Sequence, residues 1–323
     1  MTSKERVMCA LHRGQPDRVP FAEQQVEQPV LAALFGDQLA DDPIYVADQL
    51  GLDVLTFGLF PPLYVKETKL PDGRIFQTGG KLHDRRDLEI LAALEDPTDP
   101  ALYAGLETLI RRNAGRRAIV GKTRLGLSPM LMSMDLEGFS LAAADDPGVI
   151  TQILLRYARW SAVAIAEMSR RGVDLIWCFD DFAHKTGPMM SPEVFRDMIL
   201  PCLRETARSI PVPWIFHSDG DWRLVLEDLL TLGMDGLHPL EPECLSLKEL
   251  KQQIGQKVCL VGNVSVDILS RGTTEETRQE VRRCLRDGSP GGGYMITSSN
   301  SIPSYAIPAN VQAMADEIRK AGI

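Results

Sequence analysis

Pro213–Asp221 reads PWIFHSDGD. Four apolar or aromatic residues, Pro213 the first of them, run into His217, and Ser218, Asp219 and Gly220 follow before a helical pattern starts. A continuous apolar run bounded by turn residues is the signature of a buried strand. Its polar end then lies at the strand's carboxyl edge, where α/β sheets and barrels place their ligands. His217 and Asp219 are two residues apart, so extended geometry puts both on one side. A histidine and a carboxylate meeting there can bind a metal, move a proton or grip a substrate.

Similar units lie to either side. Apolar runs are expected as strands at 19–22, 54–60, 118–126, 175–181, 236–241, 259–264 and 294–299, and helical patterns alternate with them, among them 44–51, 101–114, 148–171, 192–209, 221–232, 246–254, 274–287 and 308–321. Eight strands alternating with helices predict a closed (β/α)8 barrel of the TIM type, one domain over residues 1–323. An open doubly wound sheet is the alternative, but no dinucleotide-type glycine loop follows the first strand. Thr2-Ser3-Lys4-Glu5 reads as a capping box opening an N-terminal helical extension that Gly14 and Pro16 end. Residues 64–87 carry a Pro-Asp-Gly turn between two alternating runs, which predicts a β-hairpin insertion.

Composition narrows the function. The net charge is −9 and no basic tract or basic–aromatic stripe is present, which argues against nucleic acid and against an acidic membrane surface. No apolar run approaches a span of about 20 residues. The six cysteines contain no C-x-x-C pair, and the amino terminus lacks the apolar core of a signal peptide, so a reduced, cytoplasmic protein is expected.

In a barrel, the expected strand ends deliver Glu23 and Gln25, Lys122 and Arg124, Asp180 and Asp181, His217 and Asp219, His238 and Glu241, Asn263, and Ser298 with Asn300 to one face. Each also has a plainer reading. Asp180, Asp181 and Asp219 suit helix or turn caps. His238 precedes a proline and suits a loop carbonyl, the asparagines suit loop backbone, and Lys122 and Arg124 suit ion pairs with nearby acids. Met130, Met132, Met134, Met189 and Met190 read as flexible core filler, or else as an adaptable wall against a flat apolar ligand.

Several segments taken together resemble the uroporphyrinogen decarboxylase superfamily: HRGQPDRVP, the PDGR hairpin, DDFAHKTGPMMSPEVFRDMILP, FHSDGD, GLHPLEP, LVGNVSVDILSRGT and GGGYMITSSNSI. The superfamily holds porphyrinogen decarboxylases and methyltransferases that work with corrinoid proteins. The resemblance implies a barrel, often dimeric. Decarboxylases carry arginines after the first strand to hold carboxylates; here that stretch is AEQQVEQP, with Glu23 and Glu27, whose charge would repel a polycarboxylate. Thiol-alkylating zinc methyltransferases carry His-x-Cys at the fifth strand and a further cysteine after the eighth; here the matching positions are His217, Asp219 and Asn300.

The resemblance therefore implies a methyltransferase that passes a methyl group from a small donor to the Co(I) corrinoid (a cobalamin) of a partner protein, an aryl methyl ether being the expected donor. Decarboxylation of a non-classical substrate, transfer from methylcorrinoid to another acceptor, and a non-catalytic barrel are the alternatives. Expelling a phenolate, whose parent phenol has a pKa of about 10, benefits from a proton donor or a Lewis acid at the ether oxygen. The expected catalytic residues are His217, Asp219, Glu241 and Asp181, with His217, Asp219 and Glu241 as candidate zinc ligands. Glu23, Asp180, His238, Asn263, Asn300 and Tyr305 are the expected substrate contacts.

Overall fold

A computed structural model describes residues 1–70, 75–92 and 94–321. Seven strands form one curled parallel sheet: β1 (Val54–Gly58), β4 (Ala118–Thr123), β5 (Leu175–Phe179), β8 (Trp214–His217), β9 (Gly236–His238), β10 (Cys259–Val261) and β11 (Tyr294–Met295), neighbours in that order. Helices lie in the connections between most of them. The hairpin insertion is β2 (Val65–Lys69) paired antiparallel with β3 (Ile75–Gly80); its expected Pro-Asp-Gly turn falls outside the described residues. A second, two-residue hairpin, β6 (Ala183–His184) and β7 (Gly187–Pro188), follows β5. No described helix is long and apolar enough to cross a membrane.

The expected first strand at 19–22 is not a strand. It is an extended segment bridging β11 on one side, where the Ala22 amide donates to Ile296 O at 3.0 Å and the Ile296 amide to Pro20 O at 3.0 Å. On the other side the Asp53 amide donates to Phe21 O at 2.8 Å and the Phe21 amide returns to the Asp53 carboxylate at 2.9 Å. The Asp53 side chain thus takes the Phe21 amide where a strand carbonyl would otherwise accept it. This segment closes the barrel between β11 and β1.

The amino-terminal helix Ser3–Leu11 starts with the expected capping box, Thr2 and Glu5 bonding each other's backbone. Its Val7, Ala10 and Leu11 are fully buried against Ala118, Leu175 and Cys259, which open their strands. Leu11 needs Gly236 there, because a Cβ on Gly236 would lie 3.3 Å from it and 2.9 Å from Ile215. The barrel is thus plugged at this end by a helix and filled by Val120, Trp177, Ile215, Val261 and Met295. The expected site residues lie at the opposite, carboxyl end.

Two elements depart from the sequence pattern. Leu127–Asp145 is helical, kinked at Asp135 (φ 57°, ψ 170°), whose carboxylate accepts the amides of Gly138 and Gly80. It was not readable as a helix because apolar residues fall on several of its faces, and Pro129 and Gly138 interrupt the period. The expected helix 192–209 is broken by a π turn at Phe195–Ile199, immediately before Pro201, whose missing amide cannot continue the α-helical ladder.

Candidate active site

His217 closes β8 and is 3% exposed. Its ring leans on Phe179, with centroids 4.6 Å apart, and on the ring of His238 at 4.7 Å. The two imidazoles meet Nδ1 to Nδ1 at 2.5 Å. Nε2 faces the barrel mouth, 3.3 Å from Asp181 Oδ1 and 3.4 Å from Asp219 Oδ1. Burial alone would pull the His217 pKa down; the two carboxylates, Asp181 ahead of Asp219, outweigh it and raise it to about 9. His238 moves the other way, well below the usual histidine value, through burial and then the His217 charge, against a weaker upward pull from the Ser298 backbone.

The carboxylates are held from behind. Asp181 Oδ1 accepts the Asp219 amide at 3.0 Å. Burial would raise the Asp181 pKa, but the charge and contact of His217 hold it below the usual range, although 43% of its side chain stays open. Asp219 Oδ2 accepts Asn300 Nδ2 at 2.7 Å, while its buried Oδ1 has no hydrogen-bond partner among the described residues. Gly220 makes this turn available: it sits at φ +81°, and a Cβ would lie 2.6 Å from the Ala183 backbone. Asp181, His217 and Asp219 each offer one ligand atom, all within 4.8 Å of one another.

The structure sorts the other expected residues. Glu241, expected as the third zinc ligand, is not in this group. It is half-buried beside it, its Oε2 accepting the Gly220 amide at 2.9 Å, and burial followed by the Asp219 charge raises its pKa. Asp181 takes the place expected for it. His238 supports His217 and Asn300 supports Asp219, so both are placed to act through other residues. Asp180 is wholly buried, with its two oxygens taken by the amides of Leu125 and Ser128 at 2.7 Å each. It fastens the start of the kinked helix and does not face the mouth. Asn263 is wholly buried too, donating to Leu240 O and accepting from Arg283. Tyr305 is 71% exposed, on a polar groove of about 720 Å³ that also touches Glu241 and Asn300.

Glu23 is 3% exposed, bonded to the Ser298 amide at 2.5 Å and hydroxyl at 2.9 Å. Burial, only partly offset by Ser298, pushes its pKa up to about 8, so at neutral pH it is a neutral acid and not the repelling charge its sequence position suggests. Lys122, expected in an ion pair, instead donates from 8% exposure to the Gln24 carbonyl at 2.7 Å. Arg124 lies over the Phe60 ring at 5.6 Å and bonds Ser128.

An apolar pocket of about 250 Å³, lined by Leu131, Met132, Leu136 and Met189, opens beside Asp181 and Ser128. The methionines divide accordingly. Met130 and Met134 are core, whereas Met132 and Met189 form a wall. The sequence alone does not divide the two uses, because Leu127–Asp145, the helix that separates the two faces, carries no clear helical period.

Residues 77–321 match the family model described as uroporphyrinogen decarboxylase (URO-D). A uroporphyrinogen decarboxylase of Thioalkalivibrio sulfidiphilus is 25% identical over 188 residues, covering 55% of this chain and 51% of that protein. A methylcobamide:CoM methyltransferase of Methanosarcina barkeri is 30% identical over 139 residues, covering 41% and 40%. The match thus spans about half of the first relative's length and less of the second's. A solved methyltransferase from Methanosarcina mazei superposes with a TM-score of 0.79 over 99% of both chains at 21% identity, a likeness of fold.

Proposed function

Since the chain belongs to the uroporphyrinogen decarboxylase family, we propose that within it the protein is a methyltransferase, which moves the methyl group of an aryl methyl ether to the Co(I) corrinoid carried by a separate protein. The observation that carries this reading is the apolar pocket opening on Asp181. It sets an uncharged, flexible wall of Leu131, Met132, Leu136 and Met189 directly beside the Asp181–His217–Asp219 group. A flat apolar ring suits that wall, and a porphyrinogen bearing many carboxylates does not. The stretch 22–29 offers no arginine, in contrast to what carboxylate clamping requires.

The chemistry follows from where the electrons go. As the methyl carbon is taken by the reduced corrinoid, the C–O bond breaks and its electron pair stays on oxygen, giving a phenolate. Positive charge or a proton at that oxygen lowers the barrier. His217, held as an imidazolium between two carboxylates, supplies the proton through Nε2. His238 fixes the ring by accepting from Nδ1, and Asn300 keeps Asp219 turned inward. The apolar wall orients the ring so that the methyl group faces outward to the docked corrinoid.

The same three residues suit zinc. With Nδ1 engaged by His238, His217 Nε2 would turn to the ion in place of its proton, and Asp219 Oδ1 is a buried acceptor with no hydrogen-bond partner among the described residues. Bound there, zinc would supply Lewis acidity at the leaving oxygen. No thiolate joins the set, which argues against the thiol acceptor named for the Methanosarcina barkeri relative.

The test is a screen of methoxylated aromatics with reduced corrinoid, following loss of the Co(I) spectrum and appearance of the phenol. Phenol formation that requires both components is expected. Carbon dioxide release without corrinoid, or no Co(I) loss with any methoxyarene, would overturn the proposal.

A further inference from the structure

A second cavity, of about 340 Å³, lies between the closing segment and β1, away from the three-residue group. One wall is apolar, formed by Val26, Leu31, Val46, Leu52 and Leu55, the polar side chains of Gln25, Gln28 and Thr56 line the rest, and Lys122 reaches into it from the end of β4. One N–H of the Lys122 ammonium is used by the Gln24 carbonyl. Among the described residues no hydrogen bond takes the other two, and no carboxylate pairs with it. An ammonium that is 8% exposed and without a counter-ion is costly to bury. Burial lowers its pKa only to about 8, so the charge persists at neutral pH.

The acids around this cavity leave room for an anion. Glu23 lines it but is protonated at neutral pH, its oxygens turned to Ser298. Asp41 lies on its exposed side, tied to Gln28 by a 2.7 Å hydrogen bond. We propose that this cavity binds a small monocarboxylate with an apolar body, its carboxylate taking the two unused donors of Lys122 and its body packing on Val26, Leu31, Val46 and Leu55. Lys122 is the one cation in this lining, which suits a single carboxylate, whereas a phosphate dianion or a polycarboxylate calls for more than one positive charge. The volume admits one ring or a short chain. This site stands independently of the methyl-transfer reading.

Calorimetric titration at pH 7 with butyrate, benzoate and 3-phenylpropionate tests it, with benzamide as the uncharged counterpart of benzoate. At least one carboxylate is expected to saturate the protein. Benzamide should bind about tenfold or more weaker than benzoate, the worth of a charge-assisted hydrogen bond. Lys122→Met should weaken the carboxylates by a similar factor, and Lys122→Arg should retain them. Saturation by none of the three, benzamide binding as tightly as benzoate, or undiminished binding to Lys122→Met would overturn the proposal. Should Lys122→Met fail to fold, the benzoate–benzamide comparison on the wild-type protein decides alone.

Discussion

His217 and His238 share one hydrogen bond between their Nδ1 atoms, 2.5 Å apart inside the barrel. Only one of these nitrogens can carry the proton. With His217 drawn toward the cationic state by Asp181 and Asp219, His238 must be the acceptor, neutral and protonated at Nε2. That nitrogen lies buried on the side of the Ser298 backbone, away from Asp181 and Asp219, so His238 acts on the site through the His217 ring. His238→Phe removes the acceptor and should lower turnover about tenfold to a hundredfold, the usual effect of losing a supporting partner. His238→Asn restores an acceptor and should recover part of it. Equal turnover in His238→Phe and wild type, measured as kcat, would remove His238 from the mechanism.

The exchange of Glu241 for Asp181 separates sequence from structure by metal analysis. Asp181, His217 and Asp219 converge, while Glu241 is spent on the Gly220 amide. After incubation with zinc and desalting, Asp181→Asn and His217→Ala should retain far less metal than wild type. Glu241→Gln, whose carbonyl still accepts from Gly220, should retain wild-type metal. Loss in Glu241→Gln with retention in Asp181→Asn would restore the set expected from sequence.

Glu23 gives a stability signature. Its folded pKa is raised to about 8 from 4.5, so between these values the native state holds a proton that the unfolded chain has released. Stability contributed this way is complete below about 4.5 and is lost as pH rises toward about 8. Glu23→Gln keeps a neutral side chain at all pH values. Its melting temperature relative to wild type should therefore rise steadily from pH 5 to pH 8. A difference that stays constant across that range would show that Glu23 is ionised in the folded protein.

What could be read in advance was periodic or local. Apolar runs such as Ile119–Val120 and Trp214–Phe216 mark strands by themselves, and Thr2 with Glu5 marks a helix start. The site was half legible for the same reason: His217 and Asp219 are neighbours on one strand end. Asp181 and Glu241 looked equivalent, since each ends a strand beside β8, and only three-dimensional placement shows which carboxylate turns to Nε2. Burial was hidden as well. Nothing in AEQQVEQP says that Glu23 is sealed under Ser298 and neutral, or that Lys122 lacks a counter-ion.

Asp53 was also invisible as a key position, because its partners come from two other segments. It is wholly buried and accepts Arg6 Nη1 at 2.8 Å, Arg18 Nη1 at 2.7 Å, Arg18 Nη2 at 2.8 Å and the Phe21 amide at 2.9 Å. It therefore ties the plugging helix and the closing segment to β1 at one point. Asp53→Ala would leave the 9%-exposed Arg6 side chain with the half-open Asp17 as its one carboxylate partner, beside the Met1 carbonyl, and would take away the acceptor of the Phe21 amide. Removing one partner of a buried ion pair costs about 3–5 kcal/mol. Urea denaturation should show a loss of that size, and amide exchange at Phe21 and Ala22 should accelerate more than exchange in β5 and β8, because the closing segment has few other ties to β1. A loss below about 1 kcal/mol, or uniform acceleration across all strands, would mean that the barrel is closed by packing and not by this carboxylate.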